Sequence, residues 1–210
     1  MKQTILSLTN DVVIFHAQCQ RLEVTLNMYQ DLYEADDNQK TMMRRMAYHF
    51  FLDLSHILQN EFLVQVYKLT DPPASGRPSR DNLTFQRIQM DLASYGLLHD
   101  GTTRQELAAC VDAVQLFRNN VAKEPRNRVC AHLDRETLRE LSKLGPKESG
   151  PGAHEDHERE TFFENMYRFI VIVEGLLNLD LGQFKDYGRL PGASAKEMFQ
   201  WVESRLAKRP

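Results

Sequence analysis

An all-α helical bundle is the fold class this sequence predicts, and three observations carry the prediction. Apolar residues recur at three- and four-residue steps through most of the chain. Helix-start signals of the Ser/Thr-x-x-Glu/Gln type open two of these stretches. No stretch alternates apolar and polar residues between hairpin turns, as a half-buried sheet requires. The 210 residues suit one domain spanning 1–210. Its core is expected over about 39–182, with extra helices at both ends and a C-terminal helical appendage over about 183–210.

The elements follow in order. A helix running to about Tyr33 repeats Val12, Phe15, Cys19, Leu22 and Leu26. A second, Gln39 to Thr70, carries Met42, Met46, Phe50, Leu54, Ile57, Leu58 and Phe62. A shorter helix fits Phe85 to Leu97. The next long helix, Thr102 to Glu124, puts Leu107, Cys110, Val111, Val114, Phe117 and Val121 on one face, and Thr102 with Gln105 has capping-box spacing at its start. Another runs from about Glu160 to Leu179 with Phe162, Phe163, Met166, Phe169, Ile170, Val173 and Leu177. The last, Ser194 to Lys208, opens with Ser194 and Glu197 at the same capping spacing. Two Pro-, Gly- and Ser-rich stretches, Asp71 to Asn82 and Leu144 to Glu158, read as loops inside the bundle.

Bulk chemistry narrows the class of protein. A net charge of −3 argues against coating nucleic acid by charge alone, since proteins that do so are strongly basic. Cys19, Cys110 and Cys130 are widely spaced, odd in number and without a CxxC pair, which excludes a disulfide framework or zinc ribbon and fits a reducing compartment. Asn10 and Asp11 interrupt the N-terminal "MKQTILSLTNDVVIF", so it lacks the apolar core of a secretory signal. No run approaches the ~18 apolar residues of a membrane span. The expected location is the cytoplasm, with no membrane partner.

Three polar constellations stand out. Arg45, His49, Asp53, His56 and Asn60 share one face of the second helix. His49, Asp53 and His56 are metal-ligand types, but no other helix offers a matching Glu-x-x-His, so the expected reading is a solvated or interface stripe with no metal. "HEDHERE", with His154 and His157, lies in a Gly/Pro-rich stretch and reads as a charged surface loop. The third is "KEPRNRVCAHLDRE", Lys123 to Glu136. One reading is a helix junction, with Pro125 in a first turn and Arg126 and Asn127 as caps. The other is a phosphodiester site: Arg126 forks onto two phosphate oxygens, His132 titrates near neutrality and moves a proton, and Asn127 orients either. Between Arg118 and Lys143, Arg118, Lys123, Arg126, Arg128, Arg135, Arg139 and Lys143 outnumber Glu124, Asp134, Glu136 and Glu140, a modest basic patch suited to a polyanion.

An R-N-x4-H motif after a long apolar helix resembles the HEPN superfamily (higher eukaryotes and prokaryotes nucleotide-binding), whose signature is an Arg, usually followed by a polar residue, with a His after four to six more. Arg126, Asn127 and His132 match it. "VYKLTDP" (Val66 to Pro72), "NLTFQRI" (Asn82 to Ile88) and "RNRVCAHLD" in that order resemble the abortive-infection AbiU-like branch. The resemblance implies an up-and-down helical bundle that dimerises, bringing two Arg/His sets into one cleft. It implies a metal-independent endoribonuclease without cofactors, used in phage defence or as a toxin with an antitoxin protein partner. Arg126, Asn127 and His132 are then the catalytic set, with RNA as substrate, Arg128 touching the flanking backbone and Asp134 tuning His132. Where nucleotidyltransferase antitoxins act, a Tyr lies just beyond the His; Asp134 stands there instead. Some members of the superfamily have lost catalysis, so the alternative is a non-catalytic module binding nucleotide, RNA or a protein.

Overall fold

The computed structural model describes residues 2–34, 37–75, 80–122, 156–182 and 195–206. They form six helices: α1 (Lys2–Tyr33), α2 (Asp37–Thr70), α3 (Phe85–Ser94), α4 (Gly101–Phe117), α5 (Asp156–Leu177) and α6 (Ala195–Leu206). A π-helical turn, Arg118–Ala122, continues α4. The class is all-α, as periodicity predicts. Within the Asp71–Asn82 stretch, β1 (Ala74–Ser75) pairs antiparallel with β2 (Arg80–Asp81), Ala74 opposite Asp81. Two residues per strand are too few to leave an alternating pattern. Asn82 closes this hairpin-like stretch by donating its backbone N–H to Pro73 O (2.9 Å) and its side-chain amide to Pro72 O (2.8 Å).

The main core is built by the faces the periodicity marks. Val12, Phe15, Cys19 and Leu22 of α1, Leu107, Cys110, Val111, Val114 and Phe117 of α4, and Phe162, Met166, Phe169 and Val173 of α5 are all buried in one cluster. Each large side chain so buried contributes about 1.5–3 kcal/mol. The expected core boundary near residue 39 leaves out α1, yet Leu8 already lies in this cluster. Three rings show how α1 is locked in: Phe15 meets Phe85 of α3 edge-on at 4.8 Å and Phe169 of α5 at 5.9 Å, and Phe85 meets Phe169 at 5.0 Å. A second, smaller cluster joins Leu32 of α1, Met43, Phe51 and Leu58 of α2, and Phe199 of α6. Phe199 thus gives α6 a packing role, its ring 6.0 Å from Phe51.

Three features differ from the sequence expectation. On α2, the stripe through Met46, Phe50 and Ile57 is exposed, while Met43, Phe51, Leu58 and Phe62 are buried. Two adjoining apolar stripes run along this helix, and the positions of α1 and α6 select the one that is covered. The helix is also broken at Ala47 (φ −164°, ψ 73°), so its two halves do not share one continuous face. Second, α4 starts at Gly101, not Thr102: Asp100 is the N-cap, its carboxylate accepting from the Thr103 N–H and hydroxyl, both at 2.7 Å. The Thr103 hydroxyl, then the Thr103 and Thr102 N–H groups, hold this carboxyl below the usual range. Third, α3 and α5 stop before the expected Leu97 and Leu179. Gly96 (φ 69°) and Asn178 (φ 52°) take the left-handed conformation after each helix. Leu97 N–H then reaches Leu92 O at 2.9 Å and Leu179 N–H reaches Glu174 O at 2.9 Å, the Schellman closure. The Ser194 cap and residues 144–155 of the expected second loop lie outside the described residues.

Candidate functional site

Pro125, Arg126, Asn127, Arg128, His132 and Asp134 all lie outside the described residues. The structure does describe the platform from which their segment departs. There the ends of α2 and α4 meet, and each contact has a local cause. Thr70 is the last residue of α2, so its carbonyl has no intrahelical partner. Gln115, three residues before α4 gives way to the π turn, donates its side-chain amide to that carbonyl at 2.7 Å. Arg118, first residue of the π turn, donates Nη2 to Asp71 Oδ1 at 2.7 Å. Its guanidinium carbon lies 4.8 Å from the centre of the Tyr67 ring, in cation–π range. Tyr67 and Asp71 are four apart along α2 and its end, so both face Arg118 from one side.

The ion pair is half-buried: the Arg118 side chain is 20% exposed, that of Asp71 39%. Arg118 Nε is buried and has no hydrogen-bond partner among the described residues. Beneath this polar clamp the packing is aromatic. Phe117 lies 4.7 Å from Phe162 of α5 and 6.5 Å from Phe62 of α2, ring centre to ring centre. Past Arg118, Asn119 and Asn120 are exposed, whereas Val121 and Ala122 are buried. The turn is therefore anchored on its core side up to the last residue before Lys123, and it presents two amides to solvent.

The other expected sites fall out as follows. Arg45, His49, Asp53 and His56 are exposed and Asn60 is partly buried, which fits the solvated-stripe reading. No group of three or more His, Cys, Asp or Glu able to hold a metal occurs among the described residues. His157 is exposed at the start of α5, and His154 lies outside the described residues. Cys19 and Cys110 are buried and not in a disulfide, and burial pushes both thiols up, away from a reactive thiolate. No helix among the described residues is long and apolar enough to cross a membrane. Of the basic patch, Arg118 alone is described; Asp71 compensates its charge, so it adds less to a polyanion surface than its sequence position implies.

Sequence reasoning assigns no role to Asp71, Tyr67 or Gln115. Asp71 reads as the first residue of a loop, and a partner 47 positions away leaves no local trace. The signals are the place of Tyr67 and Asp71 in the "VYKLTDP" block, which says nothing of a partner, and their spacing at a helix end, which many solvated surfaces share.

No curated protein and no solved structure matches the chain. Residues 12–190 match the HEPN AbiU2 family, described as AbiU2. That stretch runs from Val12 in α1 through α5 and includes all of "RNRVCAHLD". The three ordered sequence blocks, the all-α architecture and a match over most of the chain agree, and the protein belongs to the HEPN AbiU2 family.

Proposed function

We propose that this protein is a metal-independent endoribonuclease of the HEPN type, acting as a toxin or abortive-infection effector. The observation that carries the reading is the Arg126–Asn127–His132 motif, placed inside the family-matched stretch and directly after the clamped end of α4. An always-charged fork, an amide and a near-neutral acid–base group are the chemistry that phosphodiester cleavage by the substrate's own hydroxyl requires. In the proposed step, His132 of one motif takes the proton from the ribose 2′-hydroxyl, and the oxygen attacks the adjacent phosphorus. The bond from phosphorus to the 5′-oxygen breaks, and that oxygen leaves with a proton from a second acid. Arg126 holds the phosphate and stabilises charge gathering on its non-bridging oxygens. Asn127 orients phosphate or imidazole, Arg128 contacts the flanking backbone, and Asp134 tunes His132.

One Arg/His pair cannot both accept the first proton and donate the last in a single event. A two-fold dimer duplicates the motif and supplies the second group. A homodimer with both motifs in one cleft is therefore part of the proposal, as are a cytoplasmic location and regulation by an antitoxin partner.

The test uses purified protein, a labelled RNA and its deoxy-substituted copy. The expected products are a 2′,3′-cyclic phosphate and a free 5′-hydroxyl, with the deoxy copy uncut. His132→Ala is expected to lose on the order of 10²-fold or more in rate with little loss of binding. Arg126→Ala is expected to lose both, since the guanidinium contacts phosphate before and during reaction. Equal cleavage by wild type and His132→Ala refutes the assignment. RNA binding without cleavage by any form identifies a non-catalytic HEPN module instead.

A further inference from the structure

We infer that the exposed face of α2 around Phe50 is a self-association surface, on which two copies of the chain pack antiparallel with Phe50 of each beside the two-fold axis. This contact is independent of the activity proposed above. Met46, Phe50 and Ile57 are 47%, 61% and 61% exposed, although the neighbouring stripe of the same helix is covered by α1 and α6. Single exposed apolar side chains are ordinary on a protein surface. These three are not scattered. Met46, Phe50, Asp53 and Ile57 step by four, three and four residues, the seam spacing of one helix lying along another. The break at Ala47 falls at one end of this run, and the helix from Tyr48 onward is regular.

The polar members of the face decide what covers it. Asp53 sits inside the apolar seam with His49 and His56 beside it, and all three are exposed. A carboxylate there opposes both a lipid surface and a polyanion, which call for Lys and Arg around the apolar stripe. A second copy fits because the face complements itself. Turned antiparallel, with Phe51 of one helix level with Phe51 of the other, the two Phe50 side chains lie about 3 Å apart along the axis. The same register sets Asp53 level with His49 of the second copy, and His49 level with its Asp53, so an imidazole N–H faces a carboxylate twice. Ile57 comes within one residue of the level of Met46 in the second copy. A parallel pairing would set the two Asp53 carboxylates side by side, where like charges repel. The antiparallel register moves them about 6 Å apart along the axis.

Size sets the strength expected. With about 200 Å² for a large apolar side chain, Met46, Phe50 and Ile57 expose roughly 350 Å² per copy. Pairing covers about 700 Å² of apolar surface, and the flanking imidazoles and carboxylates bring the contact to about 1,000 Å². That is the lower edge of specific association, so the pair is a reversible dimer with a Kd in the micromolar range.

The experiment follows mass against concentration by sedimentation velocity across the micromolar range, without RNA, with circular dichroism melts to confirm folding. The wild type is expected to self-associate reversibly. Phe50→Glu is expected to raise the Kd of that step by about 10-fold or more, because symmetry sets two carboxylates at the axis. Ile57→Glu is expected to raise it as well, which keeps the test open should Phe50→Glu fail to fold. Val171→Glu, at an apolar residue 65% exposed on α5, is expected to leave it unchanged. His49→Asp sets an acid against Asp53 of the second copy and is expected to weaken association. Adding Asp53→His exchanges the two partners and is expected to restore most of the loss. A wild type that shows no concentration-dependent association overturns the inference. So does association that Phe50→Glu and Ile57→Glu leave unaltered, which places the contact on another face. A double variant no stronger than His49→Asp overturns the antiparallel arrangement. Because only mass is read, each outcome is separate from whether the protein cleaves RNA.

Discussion

Phe15→Ala is the most informative single test of how the bundle is held. Phe15 is 1% exposed and supplies two of the three contacts in the ring triad linking α1, α3 and α5. Truncating a buried Phe to Ala costs about 3–5 kcal/mol through lost transfer energy and the cavity left behind. Within that, two edge-on ring pairs account for about 0.5–1.5 kcal/mol each. Both of these pairs are lost at once, and the 4.8 Å contact to Phe85 is close to the shortest spacing such pairs adopt. The upper half of the range is therefore expected. Phe15→Leu keeps most of the volume and loses the ring pairs, so about 1–3 kcal/mol is expected. Val13→Ala, two positions away on the exposed side, is expected to stay within about 0.5 kcal/mol of wild type. Urea titration followed by circular dichroism at an unchanged m-value measures all three. If Phe15→Ala loses less than about 1 kcal/mol at the same m-value, then α1 is not part of the cooperative core and the packing argument is wrong.

Gly96→Ala is expected to cost about 1–2 kcal/mol in the same titration, because Gly96 sits at φ 69°, and the nearest atom, His99 Cε1, would be 3.6 Å from the new Cβ. The cost is thus backbone strain and not a clash; a neutral result refutes it. Burial lowers the affinity of His16 for a proton, against a smaller opposing pull from Glu174. As pH falls below the unfolded value of about 6.5, the unfolded chain takes up a proton that the folded one resists, so stability falls with pH. Melting curves from pH 7.5 to 5 are expected to show a shallower decline for His16→Gln than for wild type, and parallel curves would contradict this. Cleavage is expected to persist in excess EDTA; activity lost and then restored by zinc or manganese would reopen His49, Asp53 and His56 as a metal site.

The helical class and the positions of the six described helices were legible in the residues, because burying one face of a helix is written every three to four positions and needs no knowledge of the partner. The same holds for the buried faces of α1, α4 and α5. Two helix ends were legible in principle: Gly96 and Asn178 are residues that tolerate a left-handed backbone, and each stops its helix before the apolar pattern runs out. The motif from Arg126 to His132 is a reading of residue type and spacing alone, and its residues lie outside the described ones. Which of two apolar stripes on α2 is covered was not legible, because Met46–Phe50–Ile57 and Met43–Phe51–Leu58 have nearly the same period, and only the docking of α1 and α6 distinguishes them. Asp100 and Thr102 are likewise both residues able to cap α4, and the structure has Asp100 in that place, its carboxylate accepting from Thr103. The clamp of Asp71, Tyr67 and Arg118 is the extreme case. Its charges lie 47 residues apart, each looks solvated in its own neighbourhood, and only the meeting of two helix ends makes them a pair.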